Sequence, residues 1–401
     1  MASTAAVRPQ PDGEPDGEPG GGPERGRADG VTTTPSASAP SDDRPGHADS
    51  VRAATGDLAY LTYLRIAAII GIVIVHITAK VLVAEGLFET PVWYASVIAN
   101  KGLEWRVSML VMISGAILLK PFSGQGLFGF YRRRLRRIGI PLVFWHAAYL
   151  VMIIGVLGVQ LTFPEVVLRL VEGDVYTALY YFWLVLGLYL ITPVLRTFIA
   201  HSRRSEVVAV AVLAMLAGVG HEVAGSLLRW GGGDGNGQYN VFSLFAPYVG
   251  YYLMGYVLRE TVLRRWWLVL GTFGVLLLGA QKILHYLYWQ DTWAQVLLPP
   301  TYRGPVSAVF TVLMFVVAHS WIDRTPLRKP RFSIPARRLA NLTLGVFASH
   351  LIVLLCWQHV FDLPYGPIGF RTLALLVICT LGGSFGLSWV LSKIPFLRRT
   401  V

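Results

Sequence analysis

The sequence predicts an all-α polytopic membrane protein of about ten transmembrane helices, with both termini cytoplasmic. Three observations carry that prediction. The 401 residues are 54% hydrophobic and only 14% charged, with a mean hydropathy of +0.53, whereas a soluble domain carries about a quarter charged residues. Apolar runs of about 18 residues or more recur, each long enough to cross a hydrocarbon core about 30 Å thick. Lys and Arg also alternate between loops. The loops at 120–137, 196–205, 259–265 and 323–338, with the C-terminal tail, hold 21 of them, and those at 84–103, 160–177, 221–240, 287–303 and 360–367 hold 4. Positive residues stay cytoplasmic, so the first set and both ends of the chain lie inside.

Taken in order, residues 1–56 differ from everything after them. They are rich in Pro, Gly, Ser, Thr, Asp and Ala and include the short tandem repeat PDGEPDGEP at 11–19. Such a segment cannot bury enough apolar area to offset its ordering entropy, which predicts a disordered cytoplasmic tail. It has no apolar h-region, so it does not read as a signal peptide. A membrane domain then covers 57–395. Its first span, 59–83, is apolar apart from Arg65, His76 and a terminal Lys80. The second, 92–119, is long and opens on an interfacial piece around Trp93 and Tyr94. The third, 138–159, follows the basic run YRRRLRR, and the fourth covers 177–196. The fifth, 206–223, and the sixth, 241–258, are short and interrupted by glycine. Runs at 265–286, 304–322, 339–359 and 368–391 complete the set. The charge alternation supports this count, because one missed helix would scramble it.

The net charge of +12 is explained by topology and does not require a nucleic-acid partner. Cys356 and Cys379 fall inside apolar runs and read as small buried hydrophobes rather than a disulfide framework. The sequence has no HExxH, no Cys/His cluster and no Walker or dinucleotide glycine pattern, so no metal or bound cofactor is expected.

Arg65 and His76 need a separate explanation. They are 11 residues apart, about 16.5 Å along a helix, and the angular remainder is only about 20°. They therefore lie on one face, Arg65 near the cytoplasmic interface and His76 deep in the membrane. An ionisable group at that depth belongs against a bundle interior or a wet cavity. Together the two suggest a polar track, with a residue at its far end suited to take a proton near neutral pH. Each also has an ordinary reading: a packed neutral imidazole for His76, and a snorkelling cation for Arg65.

An Arg, ten residues, then a His in the first span resembles the acyltransferase-3 family of bacterial integral membrane O-acyltransferases. The resemblance runs over about residues 57–395. EWRVSMLVMISGAILL (104–119) is similar to the family's Arg-containing second span, and FYRRRLRRIGIPLVFW (130–145) to its basic loop and Pro-started span. YYFWLVLGLYLITPVLR (180–196), YYLMGYVL (251–258) and LTLGVFASHLIVL (342–354) are similar to later spans. In the last of these His350 matches, while the residues before it depart from the family's Tyr-Leu-Ile-His. The resemblance implies transfer of an acyl group, often acetyl from acetyl-CoA, to a hydroxyl of a carbohydrate, lipid-linked or other envelope-associated acceptor, in a bacterial plasma membrane. It makes His76 the general base, gives Arg65 a role in donor orientation or site stabilisation, and adds Arg106 as a third polar group. His350 and Trp183 join them as candidate substrate-binding residues.

Other polar residues read more simply. Arg106 has the alternatives of snorkelling outward or pairing with Glu104. Ser114 reads with Gly115 as a point of close helix approach rather than as a nucleophile. Lys282, His285 and His359 lie near outer helix ends and read as interfacial, and His146 and His319 as structural. The competing function is a multi-span transporter or flippase of a small polar or lipid-linked substrate, which would also suit intramembrane charges and interrupted helices. A sensor or scaffold acting through the tail is a third reading. Acyl transfer by purified protein separates the first from the second, and tail deletion set against His76→Ala tests the third.

Overall fold

The computed structural model describes residues 59–120, 126–233, 239–289, 292–360 and 369–401, and every regular element among them is helical. The tail expected over 1–56 lies outside these residues. Seven helices are long and apolar enough to cross a membrane: α1 (Ala59–Leu82), α4 (Leu127–Gly155), α6 (Tyr180–His201), α7 (Arg204–Trp230), α9 (Arg265–Tyr288), α11 (Pro305–Arg324) and α14 (Phe370–Lys393). An eighth is made by α12 (Pro330–Asn341) and α13 (Thr343–Val360) if this pair, bent by 52°, is counted as one span. Between the long helices lie α2 (Pro91–Gly102), α3 (Arg106–Leu118), α5 (Phe163–Glu172), α8 (Val249–Leu258) and the five-residue α10 (Trp293–Leu297).

The expected ten spans are therefore not reproduced, and the difference falls on the second and sixth. The second divides into α2 and α3 at Leu103–Trp105, where the Glu104 carboxylate pairs with Lys101 at 2.9 Å and Lys282 at 2.5 Å. The sixth shrinks to the 3₁₀ turn Ala246–Tyr248 followed by the ten-residue α8. Both α3 and α8 pack inside the bundle, and ten of the 13 residues of α3 are buried. Helices covered by protein are apolar without having to match the bilayer thickness, so a run of hydrophobic letters overstates the span count. The two cross at Met112, Gly115, Tyr252 and Gly255. A Cβ on Gly115 would collide with the Tyr252 carbonyl, and one on Gly255 with that of Met112, the close approach that small residues allow between membrane helices.

Two other boundaries differ from the sequence reading. The fifth expected span is one continuous 27-residue helix, α7. Its Gly218, instead of breaking it, lies against the Pro247 backbone, and Gly250 of α8 lies against the Met215 backbone. The basic run 132–137 is not a loop but the second turn onward of α4. Helix α5 has no buried residue and is closed by a capping box at Thr162. The Thr162 amide and hydroxyl donate to Glu165 at 2.7 and 2.8 Å, and these bonds hold the Glu165 carboxyl below the usual carboxylate range.

The segments that the charge count assigned to one side meet at one end of the molecule. Tyr60 donates to the Arg259 carbonyl at 2.7 Å, Tyr63 to Leu327 at 3.1 Å and the Leu263 amide to Ser320 at 2.8 Å. At this basic end Arg133, Arg136 and Arg137 share a cleft with Arg398 and Arg399. The opposite end is tied together by the Glu222–Arg303 ion pair at 2.7 Å and by Ser226 donating to the Gln295 carbonyl at 3.1 Å.

Candidate active site

Helix α1 is the most protein-enclosed of the seven long helices, with 56% of its apolar window buried, against 17% for α7 and α9. A central helix gives its polar residues protein surroundings instead of lipid, as intramembrane charge requires. Arg65 and His76 both face cavities, but not the same one. Arg65 lines an inner chamber of about 200 Å³ with Ser114, Arg134, Arg137 and Tyr181. His76 lines an outer chamber, also about 200 Å³, with Glu104, Arg106, Tyr180 and Tyr302.

The outer chamber brings together two of the candidate residues, His76 and Arg106. The His76 ring lies 5.1 Å, centroid to centroid, from that of His350 on α13, tilted by 43°. His350 is fully buried, and its Nδ1 is 2.6 Å from the Phe347 carbonyl. A carbonyl only accepts, so Nδ1 carries the proton and Nε2 of the neutral ring is an acceptor. That Nε2 has no hydrogen-bond partner among the described residues. Arg106 donates from Nη1 to the Leu103 carbonyl at 3.0 Å, while its buried Nε is likewise unpartnered. An unmet buried polar group costs about 1–3 kcal/mol, and native proteins keep few of them. Arg106 lines the chamber that holds His76, and His350 packs against His76 outside its lining. Arg106 is not committed to Glu104 through a salt bridge, because Lys101 and Lys282 take both carboxylate oxygens.

The remaining sequence candidates fall elsewhere. Trp183 donates its indole N–H to His146 Nε2 at 3.1 Å and lines a separate apolar groove with Leu186, Leu190 and Phe245. The structure does not bring it to His76. His146 is anchored through Nδ1 to the Leu142 carbonyl at 2.7 Å, and His319 stacks on Tyr60 at 3.7 Å. Lys282 and His285 were expected at an interface, yet they are 3% and 1% exposed. Lys282 is drawn in by Glu104 and also donates to the Ser307 hydroxyl. The Ser114 hydroxyl donates to the Leu110 carbonyl of its own helix at 2.9 Å, and the close approach to α8 is made by Gly115 beside it.

Sequence reasoning missed Tyr302, Tyr180 and Phe347. Tyr302 reaches the chamber from the loop between α10 and α11. That loop is clamped by Glu222 of α7, which accepts from Thr301 at 3.1 Å as well as from Arg303. A carboxylate within an apolar run is expensive, so Glu222 was the signal that could have flagged this loop. Phe347 carried no signal, because one Phe among apolar residues resembles any other.

A family model described as an acyltransferase domain matches residues 58–393. No curated protein and no solved structure matches the chain.

Proposed function

The chain belongs to the acyltransferase-3 family of membrane acyltransferases, and from this we propose that it moves an acyl group, in the simplest case acetyl, from acyl-CoA to a hydroxyl of a carbohydrate or lipid-linked envelope acceptor. The observation that carries the proposal is the outer chamber, where His76 and Arg106 line one small cavity and His350 packs against His76. An unactivated hydroxyl is a poor nucleophile and needs a positioned base. In this reading His76 takes the hydroxyl proton as the oxygen attacks the thioester carbonyl. Arg106 donates to the oxyanion of the tetrahedral intermediate, where a preorganised donor is most effective. Collapse breaks the carbon–sulfur bond, and the CoA thiolate leaves with the proton from His76.

The basic end supports the same reading. Its cleft of about 360 Å³, with five arginines, shares Arg137 and Leu344 with the inner chamber that holds Arg65. Guanidinium groups suit the phosphates of a CoA nucleotide. The donor would bind there from the cytoplasm of a bacterial cell, both termini being on that side, and send its pantetheine arm inward past Arg65.

The test is transfer of label from radiolabelled acetyl-CoA to an envelope extract by protein purified in nanodiscs. Wild type should yield labelled product, and His76→Ala should lower the rate by about 10²–10⁴, the usual contribution of a general base. Transfer that survives His76→Ala removes His76 as the base. No product and no acetyl-CoA binding by wild type would favour the transporter, and substrate uptake would then be measured.

A further inference from the structure

We infer that Phe347 is the septum between donor entry and the reacting centre and that it sets the bulk of the acyl group transferred, an inference that rests on the acyl-transfer reading above. Among the described residues, Phe347 is the one common to the linings of the inner and outer chambers. Its side chain is 4% exposed although it borders both. The ring is held by Tyr181 at 4.9 Å and Phe182 at 5.8 Å on α6, and it lies 6.1 Å from the His350 ring. Arg65 and His76, about 16.5 Å apart on one face of α1, line one chamber each, and Phe347 borders both.

The chemistry makes this position decisive. A nucleotide held at the arginine cleft presents its thioester from the inner chamber, whereas the base is in the outer one. The acyl carbon has to pass the Phe347 ring to meet the hydroxyl. The ring therefore filters by size, and the acyl chain beyond the carbonyl lodges against it. Beyond it the outer chamber is small, and its apolar wall is made by Ile72, Val107 and Ala178. A short acyl group fits, and each added methylene must displace packed side chains at a cost. The His350 anchor uses the backbone carbonyl of Phe347, not its ring, so shortening this side chain changes the passage without releasing His350.

The experiment is a chain-length profile. Transfer to one envelope extract is measured with acetyl-, butyryl- and hexanoyl-CoA for wild type, Phe347→Ala, Phe347→Leu and Phe347→Trp. The readout is the ratio of kcat/KM for hexanoyl to that for acetyl, which cancels differences in acceptor and in active fraction. Wild type should favour acetyl. Phe347→Ala should raise the hexanoyl-to-acetyl ratio tenfold or more, Phe347→Leu should raise it less, and Phe347→Trp should lower it. If the alanine variant does not fold, Phe347→Leu and Phe347→Trp still move the ratio in opposite directions. An active wild type whose ratio is the same in every folded variant overturns the septum and leaves acyl transfer standing. A wild type inactive with all three donors overturns the acyl-transfer reading itself, and the septum with it.

Discussion

At the residue scale, Arg106 is held loosely for a buried cation. Arg106 donates from Nη1 to the Leu103 carbonyl, and its buried Nε has no hydrogen-bond partner among the described residues. The neighbouring carboxylate is already neutralised by two lysines. Replacing Arg106 should therefore leave the fold intact and damage chemistry. Arg106→Gln is expected to lower kcat for acetyl transfer by about 10²–10³, the cost of losing an oxyanion donor. The KM for acetyl-CoA should change little, and the thermal transition in nanodiscs should stay within a few degrees. A large stability loss with an unchanged kcat in the surviving protein would instead make Arg106 a structural residue. The pairing of His76 with His350 was only partly legible in the sequence. Both residues were recognisable as intramembrane histidines, but nothing local states that the first and ninth expected spans touch.

At the element scale, the crossing of α3 and α8 organises the interior. Both helices are short, both are buried, and they meet through glycines with no room for a Cβ. Overpacking a tight interior typically costs 1–3 kcal/mol, and here the obstacle is backbone, which cannot rotate away. Gly115→Ala should lower the melting temperature measured by fluorescence-detected size exclusion and reduce the yield of monodisperse protein. Gly220→Ala in α7, where a Cβ meets nothing within 4 Å, should behave as wild type. Equal behaviour of the two variants would show that the crossing is not tight. The same elements explain the missed span count. Hydropathy measures how an element prefers apolar surroundings to water, and α3 and α8 satisfy that preference against other helices instead of lipid.

At the scale of the whole molecule, the basic loops gather at one end, and the arginine cleft opens there. Side-specific labelling tests the proposed orientation. In a background with Cys356 and Cys379 replaced by Ala, Thr292→Cys should react with a membrane-impermeant maleimide on intact cells. Ser205→Cys, in the first turn of α7, should react only after permeabilisation, since both positions are exposed but border segments of opposite charge character. The reverse pattern would put the arginine cleft outside and remove cytoplasmic acyl-CoA as its ligand. The sequence by itself determined the class of the protein, the long helices, the segregation of charge between loops, and the shared face of Arg65 and His76. Each of these depends on a run of neighbouring residues, through transfer free energy or helical pitch, and so is written locally. Only the tertiary structure decided that Arg65 and His76 line separate chambers, that Phe347 borders both, and that Tyr302 and Glu104 join the outer one. It also turned Trp183 away, into a contact with His146. Membership of a chamber depends on packing between segments far apart in the chain, and an apolar helix presents similar residues to lipid, to a neighbouring helix or to a cavity until the fold assigns each face.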